Sequence, residues 1–532
     1  MEGDPAVDIP PFVSAVDLGR RISELSDDKY EGRAPGTPGG RAAAQYIADE
    51  MKAAGLEPMG IGGTYYQPMK LTGAITLPSS TMTIANSETE ILVSDQDTNS
   101  VFWTKRLDKT LSVKESELVF VGYGIIAPEF GWNDYAGLDV KGKTVVMLVN
   151  DPGFATGDEN LFKGNAMTYY GRWTYKFEEA GRQGATAALV VHETEPASYG
   201  WEVVSGSWTG TQYDLVRPDG GASRVQIEGW LHYDAAKAVF EAAGMDIEVQ
   251  KETAMNRGFT PVAMKGLTLD ATLDQTIQTV ESSNVAGGIT GTRYPDEYVL
   301  YMAHWDHLGK NPDLTGDNIY NGAVDNATGT AAIIEIGEAF VQRGKPERSA
   351  IFIAVTAEES GLLGSSYYSE DPLVPLDKTV AGINIDAILP VGKTRDMIVV
   401  GYGSSELEDR LGAILESRNM YIVPDPTPEA GYYYRSDHIS LAKLGVPMLY
   451  ADSGRDHVIN GTDYGEAFSD EYVAERYHKP GDEYDSSWDL SGLEQSTEIL
   501  FELGYDLANS RDWPNWYEGT EFRSLRDNMM AR

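Results

Sequence analysis

Apolar residues recur at helical spacing from Asp17 to Leu25. They do so again from Gly39 to Gly55 through Ala42, Tyr46, Ile47 and Met51, closing on Leu56. Steps of three and four residues put these side chains on one face, so residues 12–57 are read as two helices. The segment between them, Glu31-Gly-Arg-Ala-Pro-Gly-Thr-Pro-Gly39, breaks the period and is read as a loop from its Gly and Pro content. From about residue 71 to 280 the texture changes to short β-rich runs such as Glu117-Leu-Val-Phe-Val-Gly-Tyr-Gly and Lys143-Thr-Val-Val-Met-Leu-Val, with Gly, Asp and Asn between them. One helix–strand pair interrupts these runs: a helix around 175–183, then Gly184-Ala-Thr-Ala-Ala-Leu-Val-Val.

From residue 284 strands and helices alternate. Strands are expected at 298–303, 349–356, 380–385 and 446–450, and helices at 327–342, 406–418, 438–444 and 490–507. Uninterrupted apolar strands separated by amphipathic helices imply an α/β fold, a mostly parallel mixed sheet flanked by helices. A catalytic domain is therefore expected over 12–70 and 281–515, a β-rich domain inserted at 71–280, and a C-terminal tail over 516–532.

Composition narrows the chemistry. With 532 residues, 42% of them hydrophobic, the chain is long enough for two or three domains with large cores. No run approaches the roughly 18 consecutive apolar residues of a membrane span. The opening Met-Glu-Gly-Asp-Pro-Ala-Val-Asp-Ile-Pro-Pro-Phe has neither a basic start nor an apolar stretch, so it does not read as a signal peptide. A net charge of −40, spread along the chain, repels nucleic acid and anionic membranes, so neither is expected as a partner. There is no cysteine, which excludes disulfides, thiolate metal sites and a cysteine nucleophile. Any transition metal must be held by His and carboxylates.

Those residue types gather at the carboxyl ends of the expected strands, where open parallel sheets place their sites. His304 and Asp306 follow the first strand, Glu358 and Glu359 the second, and Asp386 ends the third. Asp306, two residues beyond His304 in an extended stretch, is placed to accept the second ring N–H of that imidazole. Asp325, just before an Ala-rich helix, is either an N-cap or a carboxylate bridging two cations. The adjacent Glu358 and Glu359 diverge in direction, so one can ligate while the other stays free as a base. His478 adds a second imidazole from a Pro/Gly loop. Two His and three carboxylates give each of two metal ions three protein ligands with one carboxylate shared, a set that suits catalytic Zn²⁺. No Gly-x-Ser-x-Gly elbow supports a serine hydrolase. The Asn-x-Thr sequons at Asn326 and Asn460 are read as chance.

In order along the chain, His304-Trp-Asp-His-Leu-Gly, Gly322-Ala-Val-Asp-Asn-Ala-Thr-Gly, Thr356-Ala-Glu-Glu, Asn384-Ile-Asp, Arg435-Ser-Asp-His and Tyr477-His-Lys-Pro resemble the motifs of the M28 metallopeptidases. These are the two-zinc aminopeptidases and their glutamate carboxypeptidase relatives. Glu31-Gly-Arg-Ala-Pro-Gly-Thr-Pro-Gly-Gly-Arg is similar to that family's opening segment. Residues 117–124, 132–143 and 182–185 resemble a protease-associated domain, and Gly171-Arg-Trp-Thr-Tyr-Lys-Phe-Glu-Glu-Ala is similar to large bacterial secreted members.

The resemblance implies two Zn²⁺ per chain. His304 and Asp386 would hold one ion and Glu359 and His478 the other, with Asp325 between them. Glu358 would be the general base, Asp306 the orienter of His304, and Tyr433 or Tyr477 the donor to the oxyanion. Peptides are the implied substrates and a periplasmic or secreted location the implied setting. The expected reaction is removal of N-terminal residues. A carboxypeptidase or dipeptidase with the same centre is the alternative, with Arg435 available to a terminal carboxylate. The non-catalytic transferrin-receptor branch and the one-zinc glutaminyl cyclases share the scaffold. The first lacks a working metal site, and the second departs from the segment around Asp325. Ala387 stands where many relatives carry a larger apolar residue.

Overall fold

The computed structural model describes residues 12–96, 98–208, 210–312 and 314–531, so the first eleven positions, where a signal was sought, lie outside the described residues. The chain forms two compact units. One takes the described residues up to Lys70 with Val280–Pro426 and everything from Arg435 on; the other takes Leu71–Thr279 and Thr427–Tyr434.

The first unit contains α1 (Ala15–Leu25), α2 (Pro38–Ala53), β1 (Val262–Ile289, from Val280 on in this unit), β2 (Tyr294–His304), α3 (Gly329–Arg343) and β3 (Arg348–Val355). Then follow α4 (Leu363–Glu370), β4 (Thr379–Asn384), β5 (Asp396–Val399), α5 (Leu407–Ser417), β6 (Tyr421–Pro424), α6 (His438–Ala442), β7 (Met448–Ser453), α7 (Thr462–Glu475), α8 (Ser491–Asn509) and α9 (Arg523–Met530). Strands β3, β2, β4 and β7 run parallel, side by side in that order. β1 joins β3 antiparallel, and β5 joins β7 antiparallel and β6 parallel. The sheet is mixed and mostly parallel, flanked by helices.

The local sequence explains these elements. All eight residues of β3 and all six of β4 are buried, as central parallel strands covered on both faces must be. α2 starts at Thr37, whose hydroxyl accepts from the Gly40 N–H at 3.0 Å, with Pro38 in the first turn. One core joins Leu18 and Ile22 of α1, Ile47 and Met51 of α2, Ile333 and Ile336 of α3, and Ile499 and Leu503 of α8 to Val299, Tyr301 and Phe352 of the sheet. Each such aliphatic side chain contributes roughly 1.5–3 kcal/mol by leaving water.

The residues expected to form a tail are packed. Trp516 is fully buried and its indole N–H donates to the Gly445 carbonyl at 3.1 Å. Arg526, also buried, donates to the carbonyls of Thr379 and Val380, where β4 begins.

The second unit has its own mixed sheet. Thr110–Phe120, Thr144–Leu148, Ala187–His192 and Ile227–His232 are parallel neighbours, with antiparallel strands at both sides. Among the described residues, one apolar cluster gathers around Phe120, Leu189 and Phe240 and another around Trp103, Val145 and Phe177. Among the described residues no helix is long and apolar enough to cross a membrane.

Candidate metal centre

The sheet delivers its polar groups at one edge. His304 is the last residue of β2, Glu358 and Glu359 follow β3, and Asp386 follows β4. Asp325 lies in the turn Ala323–Thr328 before α3, and His478 in the loop after α7. Positions in these loops take left-handed backbone: Ala357 at φ 56° after β3, Ala387 at φ 56° after β4, and His478 itself at φ 56° after α7. This conformation disfavours branched side chains, which gives the small residue at 387 a backbone cause.

The side chains converge as two clusters. His304 Nε2 lies 3.2 Å from Asp325 Oδ1 and 3.1 Å from Asp386 Oδ1. His478 Nε2 lies 3.1 Å from Asp325 Oδ2 and 3.2 Å from Glu359 Oε2. Ligands held about 2.0–2.1 Å from one tetrahedral ion stand roughly 3.3–3.4 Å apart, so these separations match the edges of a zinc coordination shell. Asp325 divides its oxygens, one to each cluster. Its role as an N-cap is not taken up: α3 begins at Gly329, preceded by Thr328 as the cap residue.

Asp325 is held by its surroundings. Asp482 accepts from the N–H groups of Val324 and Asp325, both at 3.0 Å. Asn326 donates to the Ile385 carbonyl at 3.0 Å and accepts from the N–H groups of Gly329 and Ala387, which ties the Asp325 turn to the Asp386 loop. Asn326 is fully buried, so its sequon serves packing.

Charges in this edge are unbalanced. Burial pushes Asp306 up to about 7, Glu359 adding to the effect, and pushes Asp437 up to about 7 despite the pull of His304. Burial, with Glu359, Asp386 and Asp437 nearby, holds the Glu358 carboxyl well above its usual range. Burial resists a charge on His304, but Asp386, Glu358 and Asp325 outweigh it and raise that imidazole well above its ordinary value. Carboxylates crowded at a dry edge create a deficit of positive charge that cations remove. The donor set fits zinc: imidazole nitrogens and carboxylate oxygens with no sulfur.

Residues 284–503 match the family model described as Peptidase family M28. Over this segment, under half of the chain, the sequence is similar to that family. Relatives bear the same mark over shorter stretches. "Aminopeptidase NAALADL1" of Mus musculus is 40% identical over 111 residues, 20% of this chain and 13% of that protein. "Glutamate carboxypeptidase 2 homolog" of Caenorhabditis elegans is 32% identical over 134 residues, 24% of this chain and 16% of that one. The matched stretches span a quarter or less of the length of these curated relatives. The fold extends further: the solved aminopeptidase from Aneurinibacillus sp. strain AM-1 superposes with a TM-score of 0.52 at 20% identity, covering 94% of this chain and 95% of that one.

Within the matched segment two sequence expectations come out differently. The Asp306 carboxylate does not reach His304: its nearer oxygen lies 3.9 Å from Nδ1, and the Asp306 backbone carbonyl takes that position at 3.1 Å. The Asp306 carboxylate instead accepts from the Glu358 N–H at 3.1 Å and so fixes the backbone of the acidic pair. β2 ends at His304, so the strand alternation that would align residues 304 and 306 does not extend to Asp306.

The two tyrosines also part. Tyr477 stacks on His478 with ring centroids 4.0 Å apart, and Asp325 and Glu359 act on its hydroxyl. Tyr433 belongs to the second unit, where it meets Tyr434 edge-on at 5.1 Å. Arg435 lies within electrostatic reach of Tyr477.

Three functional neighbours went unassigned in the sequence. Ser436 donates to Asp386 Oδ2 at 2.6 Å and accepts from Asn384 at 2.7 Å. His307 Nδ1 lies 2.6 Å from Glu359 Oε1. Arg33, fully buried, donates to the carbonyls of Trp305 (2.8 Å), Leu25 (2.8 Å), Asn321 (2.5 Å) and Gly322 (2.9 Å). Burial pulls its guanidinium down to about 10 against the opposing pull of Asp482, Asp306, Asp325 and Glu359. The one available signal was a lone Arg inside a Gly/Pro loop, with nothing to name its partners.

Proposed function

We propose that this chain is a zinc metallo-exopeptidase that removes N-terminal residues from peptides, working with two zinc ions. The observation that carries this reading is the division of Asp325: its two oxygens face two different imidazoles, each beside a further carboxylate oxygen. His304, Asp386 and one oxygen of Asp325 would hold one ion; His478, Glu359 and the other oxygen would hold the second. When bound, zinc supplies an acidified water and polarises the scissile carbonyl.

The chain's own residues do the rest. Glu358, beside the ligands and not among them, takes a proton at its carboxylate and passes it to the leaving amine. Its backbone is fixed by the Asp306 carboxylate and by the turn at Ala357. The Asp306 carbonyl sets which ring nitrogen of His304 carries the proton, leaving Nε2 for the ion. Tyr477 donates to the oxyanion that develops on the carbonyl. A location outside the cytoplasm, periplasmic or secreted, belongs to the same proposal, as does a protease-associated role for the second unit.

Purified protein is expected to hold two zinc ions per chain, to lose activity on chelation and to regain it with added zinc. It should release the reporter from amino-acid p-nitroanilides and leave N-blocked dipeptides intact. Cleavage of blocked substrates alone would move the reading to a carboxypeptidase or dipeptidase. Absence of bound zinc would move it to a non-catalytic binding protein. Tyr477→Phe is expected to lower kcat about 10²–10³-fold, the scale of one lost oxyanion donor, with zinc content unchanged. A loss of that size in Tyr433→Phe alone would transfer the role to that tyrosine.

A further inference from the structure

Each terminal carboxylate of the metal centre spends one oxygen on its cluster and the other on a protein donor. For Asp386, Oδ1 faces His304 and Oδ2 accepts from Ser436 at 2.6 Å. For Glu359, Oε2 faces His478 at 3.2 Å and Oε1 lies 2.6 Å from His307 Nδ1. A carboxylate oxygen only accepts, so the proton of this contact sits on Nδ1.

The ring of His307 is not free to turn away. It is fully buried, and Gly322 (φ +53°) packs against it so closely that a Cβ there would lie 2.6 Å from its Cγ and Cδ2. The Gly322 carbonyl is held by Arg33 at 2.9 Å. The His478 ring stands across it, centroids 5.9 Å apart at 69°. His307 also offers a donor atom within 4.8 Å of oxygens of Asp325 and Glu359, so it lies against the second cluster without sharing the 3.1–3.2 Å convergence on His478 Nε2.

We propose that His307 is a positioning residue that restrains Glu359 to offer the ion a single oxygen. A carboxylate can engage an ion through one oxygen or two. The difference decides whether a three-ligand catalytic site keeps its open position. By occupying Oε1, His307 reserves that position for water and substrate. The inference rests on the two-metal reading above and extends it to the residue that keeps one site unsaturated.

The test compares His307→Asn, whose amide N–H can stand where Nδ1–H stands, with His307→Gln, whose amide lies one bond farther out. Each is loaded with Co²⁺ in place of zinc, and the metal content and visible absorption are recorded. Wild type and His307→Asn should bind two ions with the same spectrum. His307→Gln should also bind two ions, but with weaker absorption, as one site gains an oxygen ligand; its kcat should fall about 10–100-fold. A His307→Gln spectrum identical to wild type overturns the proposal. So does loss of an ion from both variants, which would make His307 a ligand in its own right. Failure of the wild type itself to bind two ions rejects the two-metal reading instead.

Discussion

Glu358→Gln is expected to retain the zinc content and substrate KM of the wild type while kcat falls about 10²–10⁴-fold, the range spanned by one general base. The substitution keeps size and shape and removes only the capacity to take and return a proton. Glu358 sits where that capacity matters. Burial and the neighbouring Glu359, Asp386 and Asp437 crowd its carboxylate, and no cluster distance involves it. Its backbone contact to Asp306 uses the N–H and survives the change. Steady-state kinetics with metal analysis of the same preparation decide the matter. A kcat within a few-fold of wild type would remove Glu358 from the mechanism.

Arg33→Met is expected to destabilise the protein by about 3–5 kcal/mol, the cost of removing one member of a buried charge network. The guanidinium donates to four backbone carbonyls drawn from the α1 end, the β2 exit and the turn that leads into Asp325. Methionine of similar length fills the space but leaves those acceptors unpaired, and each buried unpaired group costs about 1–3 kcal/mol. It also removes the cation facing Asp482, Asp306, Asp325 and Glu359. Arg33→Lys keeps the charge but has three donors on a single nitrogen in place of a planar fork, so part of the loss should remain. Denaturant midpoints, with zinc affinity measured beside them, check both. An unchanged midpoint in Arg33→Met would show that these carbonyls find other partners.

What could be read along the chain follows from burial. β3 and β4 lie at the centre of a sheet covered on both faces, so they appear as unbroken apolar runs, and the carboxylates at their ends stand out against them. β5 and β6, four residues each, carry too short a period to be distinguished from loop and were not anticipated. The helix Thr462–Glu475 was missed for a different reason: only Gly465, Ser469 and Tyr472 are buried along it, so no apolar stripe marks its face. The last residues read as a tail because Trp516 and Arg526 are isolated in a polar stretch, although each is buried within the first unit.

The sequence by itself determined the donor types, their order and their places at strand ends, because those depend on local period and on neighbours in the chain. Only the tertiary structure decided how each donor is used. Asp325 could cap a helix or face two imidazoles, and the turn held by Asp482 and Asn326 settled that. Asp306 could meet His304 by its carboxylate or by its carbonyl, and beyond the end of β2 it is the carbonyl that does so. His304 and His307 are alike as residues three apart, yet one faces Asp325 and Asp386 and the other the far oxygen of Glu359. The physical reason is that hydrogen bonds and metal shells are set by distances of tenths of an ångström between groups far apart in sequence. Arg33 and Trp305, Glu359 and His478, and Asp386 and Ser436 become neighbours only when the sheet and its loops close around them.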